Sequence, residues 1–272
     1  MMLVDRDKCV GCTLCIKDCP VKDIELNSGK AFVKNEACIN CGHCIAICPK
    51  NAVFTDEKTM DEVIEYKEDE FKVEPENLLN FIKFRRSVRN FKPKDVEDEK
   101  IMKIIEAGRY TQTSTNSQDV SYVVVKDKIN ELKDLAMESL YEKGKYLIEN
   151  LNEDTKPFER YARKWINMFE EYKKDNKKDG LFFNAPVVIL VVSKTPINGG
   201  LASSNMELMI DSLGLGTFFS GFFQRAAVSN KKIMEFLDLE EDQNIVSCMV
   251  VGYPNVKYQR TVPRKEAKVT FK

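Results

Sequence analysis

Eight cysteines fall between positions 9 and 48, and only one more, Cys248, occurs in a chain of 272 residues. They form two runs. Cys9, Cys12, Cys15 and Cys19 are spaced C-x2-C-x2-C-x3-C and followed by Pro20; Cys38, Cys41, Cys44 and Cys48 repeat that spacing before Pro49. Each member of the second run lies 29 residues after its counterpart in the first. Thiols crowded in this way either cross-link a small exported scaffold or bind metal. The start of the chain, Met1-Met2-Leu3-Val4-Asp5-Arg6-Asp7, lacks the basic-then-apolar pattern of an export signal, and no apolar run of about 18 residues occurs. The expectation is a cytoplasmic chain with no membrane partner, whose cysteines bind metal.

Zinc sites seldom use three cysteines at two-residue gaps plus a Cys-Pro, and almost never twice in tandem. The spacing is that of bacterial two-cluster iron–sulfur proteins. Residues 1–57 therefore resemble the ferredoxin family. Three cysteines on a tight loop can face one cubane while the fourth points at its neighbour. Cys9, Cys12, Cys15 and Cys48 are thus expected to hold one [4Fe–4S] cluster, and Cys19, Cys38, Cys41 and Cys44 the other. Gly11 and Gly42 let the backbone approach a cubane, and Ala31-Phe32-Val33 and Ala52-Val53-Phe54 can each supply a short strand. His43, the one histidine, is read as an exposed loop residue, since four thiolates already complete each set.

After the second run the composition shifts. Residues 58–76 carry three lysines against eight acids, an acidic connector with some helical character at Met60, Val63 and Ile64. Over the whole chain 42 basic residues oppose 43 acidic ones, a net charge of −1, which argues against a nucleic-acid partner. Residues 77–272 alternate helical and strand patterns. Leu78, Leu79, Ile82 and Phe84 mark a helix ending near Arg85, and Ile101, Ile104, Ile105 and Gly108 an amphipathic one. Tyr122–Val125, Val187–Val192 and Ile245–Val251 read as strands, and Met206–Leu213 as a helix that Gly214 can cap. Residues 129–180 read as a charged helical insertion with Trp165, Ile166 and Phe169 on one side, either a structural layer or a substrate lid. This interleaving is α+β or α/β; the class adopted is α+β.

Four polar elements punctuate this larger region. Arg85-Arg86-Ser87-Val88-Arg89 puts three guanidiniums and a hydroxyl within five residues, a set suited to a phosphate monoester. Thr113–Gln118 is a polar loop before a strand. Gly214–Gly221 contains three glycines that would let backbone amides reach a flat ligand. Pro263-Arg264-Lys265 adds cations near the end. In this order the elements resemble the nitroreductase-like flavoproteins over residues 77–272. The resemblance implies a mixed α+β fold and an intertwined homodimer with FMN at its interface. It further implies Arg85, Arg86, Ser87 and Arg89 around the phosphate, ribityl chain and pyrimidine edge, and Asn116 at the isoalloxazine edge. Backbone at Ser220 and Gly221 would lie near N5, with Arg264 closing on the phosphate. One departure stands out: Asp119-Val120 replaces the Pro-Trp that usually follows Ser-Gln in that family. Cys248 is read as a buried strand residue and not as a catalytic thiol.

These readings predict an oxidoreductase. Electrons from an external ferredoxin or ferredoxin-reducing enzyme, or from NAD(P)H, would pass through two clusters to FMN. FMN would then reduce a small-molecule acceptor of nitroaromatic, quinone or enone type. No Rossmann glycine motif follows a strand, and no acid–base pair is evident, so no catalytic side chain is assigned. The alternatives are an electron carrier or redox sensor in which FMN only relays, and a ferredoxin domain fused to a flavin fold that has lost its cofactor.

Overall fold

The structure is a computed structural model that describes every residue except Glu57, Lys58 and Glu241. The expected boundary between residues 57 and 58 therefore lies outside the described residues. The chain divides into two units, Met1–Glu74 with Thr113–Ser117, and Pro75–Gln112 with Gln118–Lys272. None of the described helices is long and apolar enough to cross a membrane.

The first unit is built from two small ribbons. Strand β1 (Met2–Val4) is followed by α1 (Leu14–Asp18), β2 (Ile24–Asn27), β3 (Lys30–Val33), α2 (His43–Ala46) and β4 (Val53–Thr55). β1 pairs antiparallel with β4, and β2 with β3. The two-residue turn between β2 and β3 has positive φ at both Ser28 and Gly29, the geometry whose twist suits a hairpin. Its buried hydrophobic set comprises Met2, Ile24, Ala31, Val33, Ala52 and Val53 together with Cys9, Cys15 and Cys44. The acidic stretch that follows contains a single 3-10 turn at Met60–Glu62 and a one-turn helix, α3 (Glu68–Phe71), neither with a buried residue.

The second unit opens with α4 (Pro75–Phe84) and α5 (Asp98–Arg109), then β5 (Ser121–Val125). Next come α6 (Ile129–Glu149), α7 (Glu159–Lys174), β6 (Val187–Ser193) and α8 (Pro196–Ser212). It closes with β7 (Gly216–Phe219), α9 (Gly221–Ala227), α10 (Lys231–Phe236) and β8 (Asn244–Gly252). The sheet runs β5-β6-β8-β7, antiparallel throughout, which makes the unit α+β. Both faces are covered. Along β6, Val188 and Leu190 join a core with Leu132, Met137, Leu140 and Phe223, while Val187, Ile189 and Val191 join another with Ile104, Met206 and Ile210. Side chains alternate across a strand, so a sheet buried on both faces needs the unbroken apolar run read in the sequence. Each such side chain contributes about 1.5–3 kcal/mol.

Helices α6 and α7 carry core residues. Leu132, Ala136, Met137 and Leu140 of α6 and Ala162, Trp165 and Met168 of α7 are buried. Of the two readings of residues 129–180, the structural layer fits this burial. Beneath them Lys133 pairs with Asp179 at 3.2 Å, with the two side chains 7% and 0% exposed. The same carboxylate accepts the backbone N–H groups of Leu181, Phe182 and Asn184. It fixes the turn leading into β6.

Candidate functional site

In the first unit, the eight thiols sort into two cavities. One is lined by Cys9, Cys12, Cys15 and Cys48, together with Gly11, Ala31 and Ala52. The other is lined by Cys19, Cys38, Cys41 and Cys44, together with Asp23, Gly42 and His43. The fourth cysteine of each run thus crosses to the other run's cavity. Backbone amides already face the sulfurs: Ala31 N–H donates to Cys9 Sγ at 3.4 Å, Asp23 to Cys19 at 3.4 Å, and Ala52 to Cys48 at 3.3 Å. Such bonds stabilise thiolate charge and tune a cluster.

Local chemistry explains how the loops reach this geometry. Gly11 has φ +67°, and a Cβ there would lie 2.2 Å from the Gly29 carbonyl oxygen, so the hairpin turn admits only glycine. Asp23, 1% exposed, accepts the N–H groups of Glu36 and Ala37 and anchors the approach to Cys38. Burial pushes the Cys44 thiol up to about 11, and the neighbouring Cys41 and Cys38 thiols add to it. Burial likewise raises Cys15. Cys9 lies below its ordinary value: burial opposes ionisation, but the amides of Ala31 and Gly11 and the charges of Lys30 and Arg6 outweigh it. Converging thiols of this kind ionise together only around a cationic centre. Among the described residues no three His, Cys, Asp or Glu group as ligands of one metal ion. Four thiols ranged around each cavity fit an iron–sulfur cluster. His43 is exposed, but its Nδ1 meets Asp18 Oδ2 at 3.0 Å, a pairing that no spacing rule announced.

In the second unit the arginine run lies against β7. Ser87 bridges to Thr217 in parallel fashion, Val88 N–H donates to Thr217 O at 2.9 Å, and the Arg89 guanidinium sits 5.2 Å from the Phe218 ring centroid. Arg86 folds onto backbone, donating to the carbonyls of Lys83 and Arg85. Neither Arg86 nor Arg89 has a carboxylate partner among the described residues, and Thr217 Oγ1 beside them is buried without a hydrogen bond. Unneutralised guanidiniums with a hydroxyl at hand fit a phosphate-bearing cofactor. Arg85 differs, because it pairs with Glu207 of α8. One turn on, burial and the Glu207 charge push the Asp211 carboxyl up to about 6 despite Arg85. Glu207 and Asp211 are the two charges of an otherwise uncharged helix, a signal that the sequence carried.

The glycine-rich stretch is put to other uses than freeing amides. Gly214, φ +72°, ends α8: its N–H bonds to Asp211 O and that of Leu215 to Ile210 O, a Schellman closure. Gly216 opens β7, where a Cβ would meet Val88 at 2.6 Å. Residues Gly216–Phe219 of this stretch form that strand. Ser220 caps α9, and its N–H donates to Cys248 O at 2.8 Å, so that amide is occupied; Gly221 follows, exposed. Cys248 is wholly buried in β8, and burial raises its thiol far above the ordinary value. Arg264 and Lys265 lie exposed in a tail without regular structure. Asp119 accepts from Ser193 Oγ at 2.7 Å, Thr195 N–H at 3.2 Å and Asn198 Nδ2 at 2.6 Å, and so holds the start of α8. Asn116 belongs to the first unit, where its Nδ2 donates to the carbonyls of Ile39 and Asn40.

Comparison with known proteins gives both units relatives. The nitroreductase family matches residues 82–253, and the 4Fe-4S dicluster domain matches residues 1–49. An NADPH-dependent oxidoreductase of Staphylococcus aureus (strain USA300) is 26% identical over 184 residues, covering 66% of this chain. The match spans 65% of that relative, less than two thirds of its length. An FMN-dependent nitroreductase from Clostridium difficile R20291 has a TM-score of 0.51 at 20% identity, covering 70% of this chain and 98% of its own. A nitroreductase with bound FMN from Bacteroides fragilis NCTC 9343 has a TM-score of 0.52 at 18% identity, covering 71% and 98%. At these identities the two structures share the fold.

Proposed function

The chain belongs to the nitroreductase family, and from that premise we propose an FMN-dependent oxidoreductase fed with electrons through two [4Fe–4S] clusters. The observation that carries this reading is the sorting of eight thiols into two four-cysteine cavities on the chain that bears the family's domain. FMN supplies the conversion between one-electron delivery and two-electron reduction of an organic acceptor of nitroaromatic, quinone or enone type.

Within this reading the residues divide the work. Arg86, Ser87 and Arg89 bind the phosphate, the ribityl chain and the pyrimidine edge, and Arg89 offsets negative charge on the reduced ring. Arg85 orients the run through Glu207. Gly221 would present backbone near N5, and Asn116 would meet the isoalloxazine edge. Arg264 reaches the phosphate in a homodimer that places FMN at its interface. The boundaries 1–57, 58–76 and 77–272 describe the electron-entry module, the connector and the flavin domain. The donor is a reduced ferredoxin or a ferredoxin-reducing enzyme, since direct hydride transfer from NAD(P)H leaves the clusters without a task.

Stopped-flow reduction of the bound flavin by reduced ferredoxin and by NADPH tests the order of events. Rapid reduction by ferredoxin, slowed when the clusters are removed, is expected. Equally fast reduction by NADPH in cluster-free protein overturns the wiring. Turnover of a nitroaromatic or quinone above the rate with free FMN separates an enzyme from a relay or redox sensor.

A further inference from the structure

Asn116 lies 77 residues from Ile39 in sequence, yet its Nδ2 donates to Ile39 O at 2.9 Å and to Asn40 O at 3.0 Å. Those two carbonyls are the whole link between Cys38 and Cys41. Thr113–Ser117 groups with the first unit although the chain on both sides of it, through Gln112 and from Gln118, belongs to the second. The segment is held in a knuckle, with positive φ at Thr115 and Asn116, facing a loop in which Asn40 also has positive φ. Such backbone persists where surrounding contacts determine it. Among the described residues no side chain bonds the carbonyls of the first run's Val10-Gly11 link in this way; Gly11 instead lies close against the Gly29 carbonyl of the β2–β3 turn.

We propose that Asn116 is a positioning residue for the cluster that Cys19, Cys38, Cys41 and Cys44 would hold. Two donors on one carboxamide fix both carbonyls of the link, which fixes where its amides point and so would set the cluster's potential. This role rests on the two-cluster reading above.

The test compares full-length protein loaded with clusters and FMN with its Asn116→Ala variant, using Gln259→Ala in the tail as a control. Two readouts are taken: hydrogen exchange of the peptides spanning Cys9–Cys12 and Cys38–Cys41, and the midpoint potentials of the two clusters by EPR-monitored titration. Expected are faster exchange in the Cys38–Cys41 peptide alone and a shift in one cluster's reduction equilibrium by about tenfold, 59 mV for one electron. Unchanged exchange at Cys38–Cys41, or equal shifts in both clusters, overturns the positioning role. Parent protein that holds only one cluster overturns the two-cluster reading, while exchange at Cys38–Cys41 still judges the positioning role.

Discussion

The two units solve the problem of staying folded by different means. The second buries a four-stranded sheet on both faces, with fully buried Ile189, Leu190, Met206, Leu132 and Phe223 among its core residues. The first has six buried aliphatic side chains, and the other three buried members of its core are cysteines. A core that small rarely supplies more than about 3–5 kcal/mol. Its ribbons are therefore held by whatever the thiols hold, and metal binding there is part of folding. The cluster domain and the nitroreductase-family domain thus have separate sources of stability.

Breaking the metal side of this contrast should have the largest effect. Cys41→Ser removes a ligand from one site and, because Cys19 and Cys48 tie the two sites together, is expected to lose most of the bound iron and to abolish the cooperative unfolding of the first unit. Calorimetry should find the transition of the second unit unmoved; a first unit that still unfolds cooperatively would break the comparison. The reverse experiment is Asp179→Ala. It strands Lys133 as a buried charge and leaves three backbone amides unpartnered, at a cost of about 3–5 kcal/mol. Urea unfolding should place that whole loss on the second unit, at constant iron content.

A smaller effect tests packing inside the first unit. Gly11→Ala drives a Cβ into the Gly29 carbonyl at 2.2 Å and strains a residue at φ +67°. A loss of about 1–3 kcal/mol is expected, seen as faster iron release to a chelator from the cavity lined by Cys9. The smallest effect depends on pH. Asp211 has a folded value of about 6, above its ordinary 3.8, because it is buried near Glu207. A raised carboxyl favours folding while protonated, so stability falls as pH rises from about 4 to about 6. Asp211→Asn avoids that loss. Its melting temperature should exceed the parent's by about 2–4 °C at pH 7.5, and the difference should vanish near pH 4.

What the sequence disclosed follows from the same contrast. Cysteine spacing encodes the cluster loops directly, because every ligand is within a few residues of the next. The unbroken Val187–Val192 run encodes a strand covered on both faces for an equally local reason. Strand β7 was hidden, since a glycine at position 216 gives no strand signal until the close approach of Val88 explains it. Residues whose partners are remote in sequence were hidden as well. Nothing local in Asp119 marks it as the clasp of α8, and nothing local in Asn116 points to Ile39. The arginine run was legible as a cationic group, but the withdrawal of Arg85 onto Glu207 required the helix to be in place.

The crossing of Cys19 and Cys48 makes the two halves of the first unit mutual hostages. A fragment that stops before Cys48 offers three thiols to the cavity of the first run, and one lacking the first run leaves the second short of Cys19. During synthesis the second run's site is complete once position 44 has been made, and the first run's site only once position 48 has. Filling either one then brings both runs into register. Iron loading of this chain should therefore behave as a single concerted event, and a half-loaded molecule should be the least populated of its states.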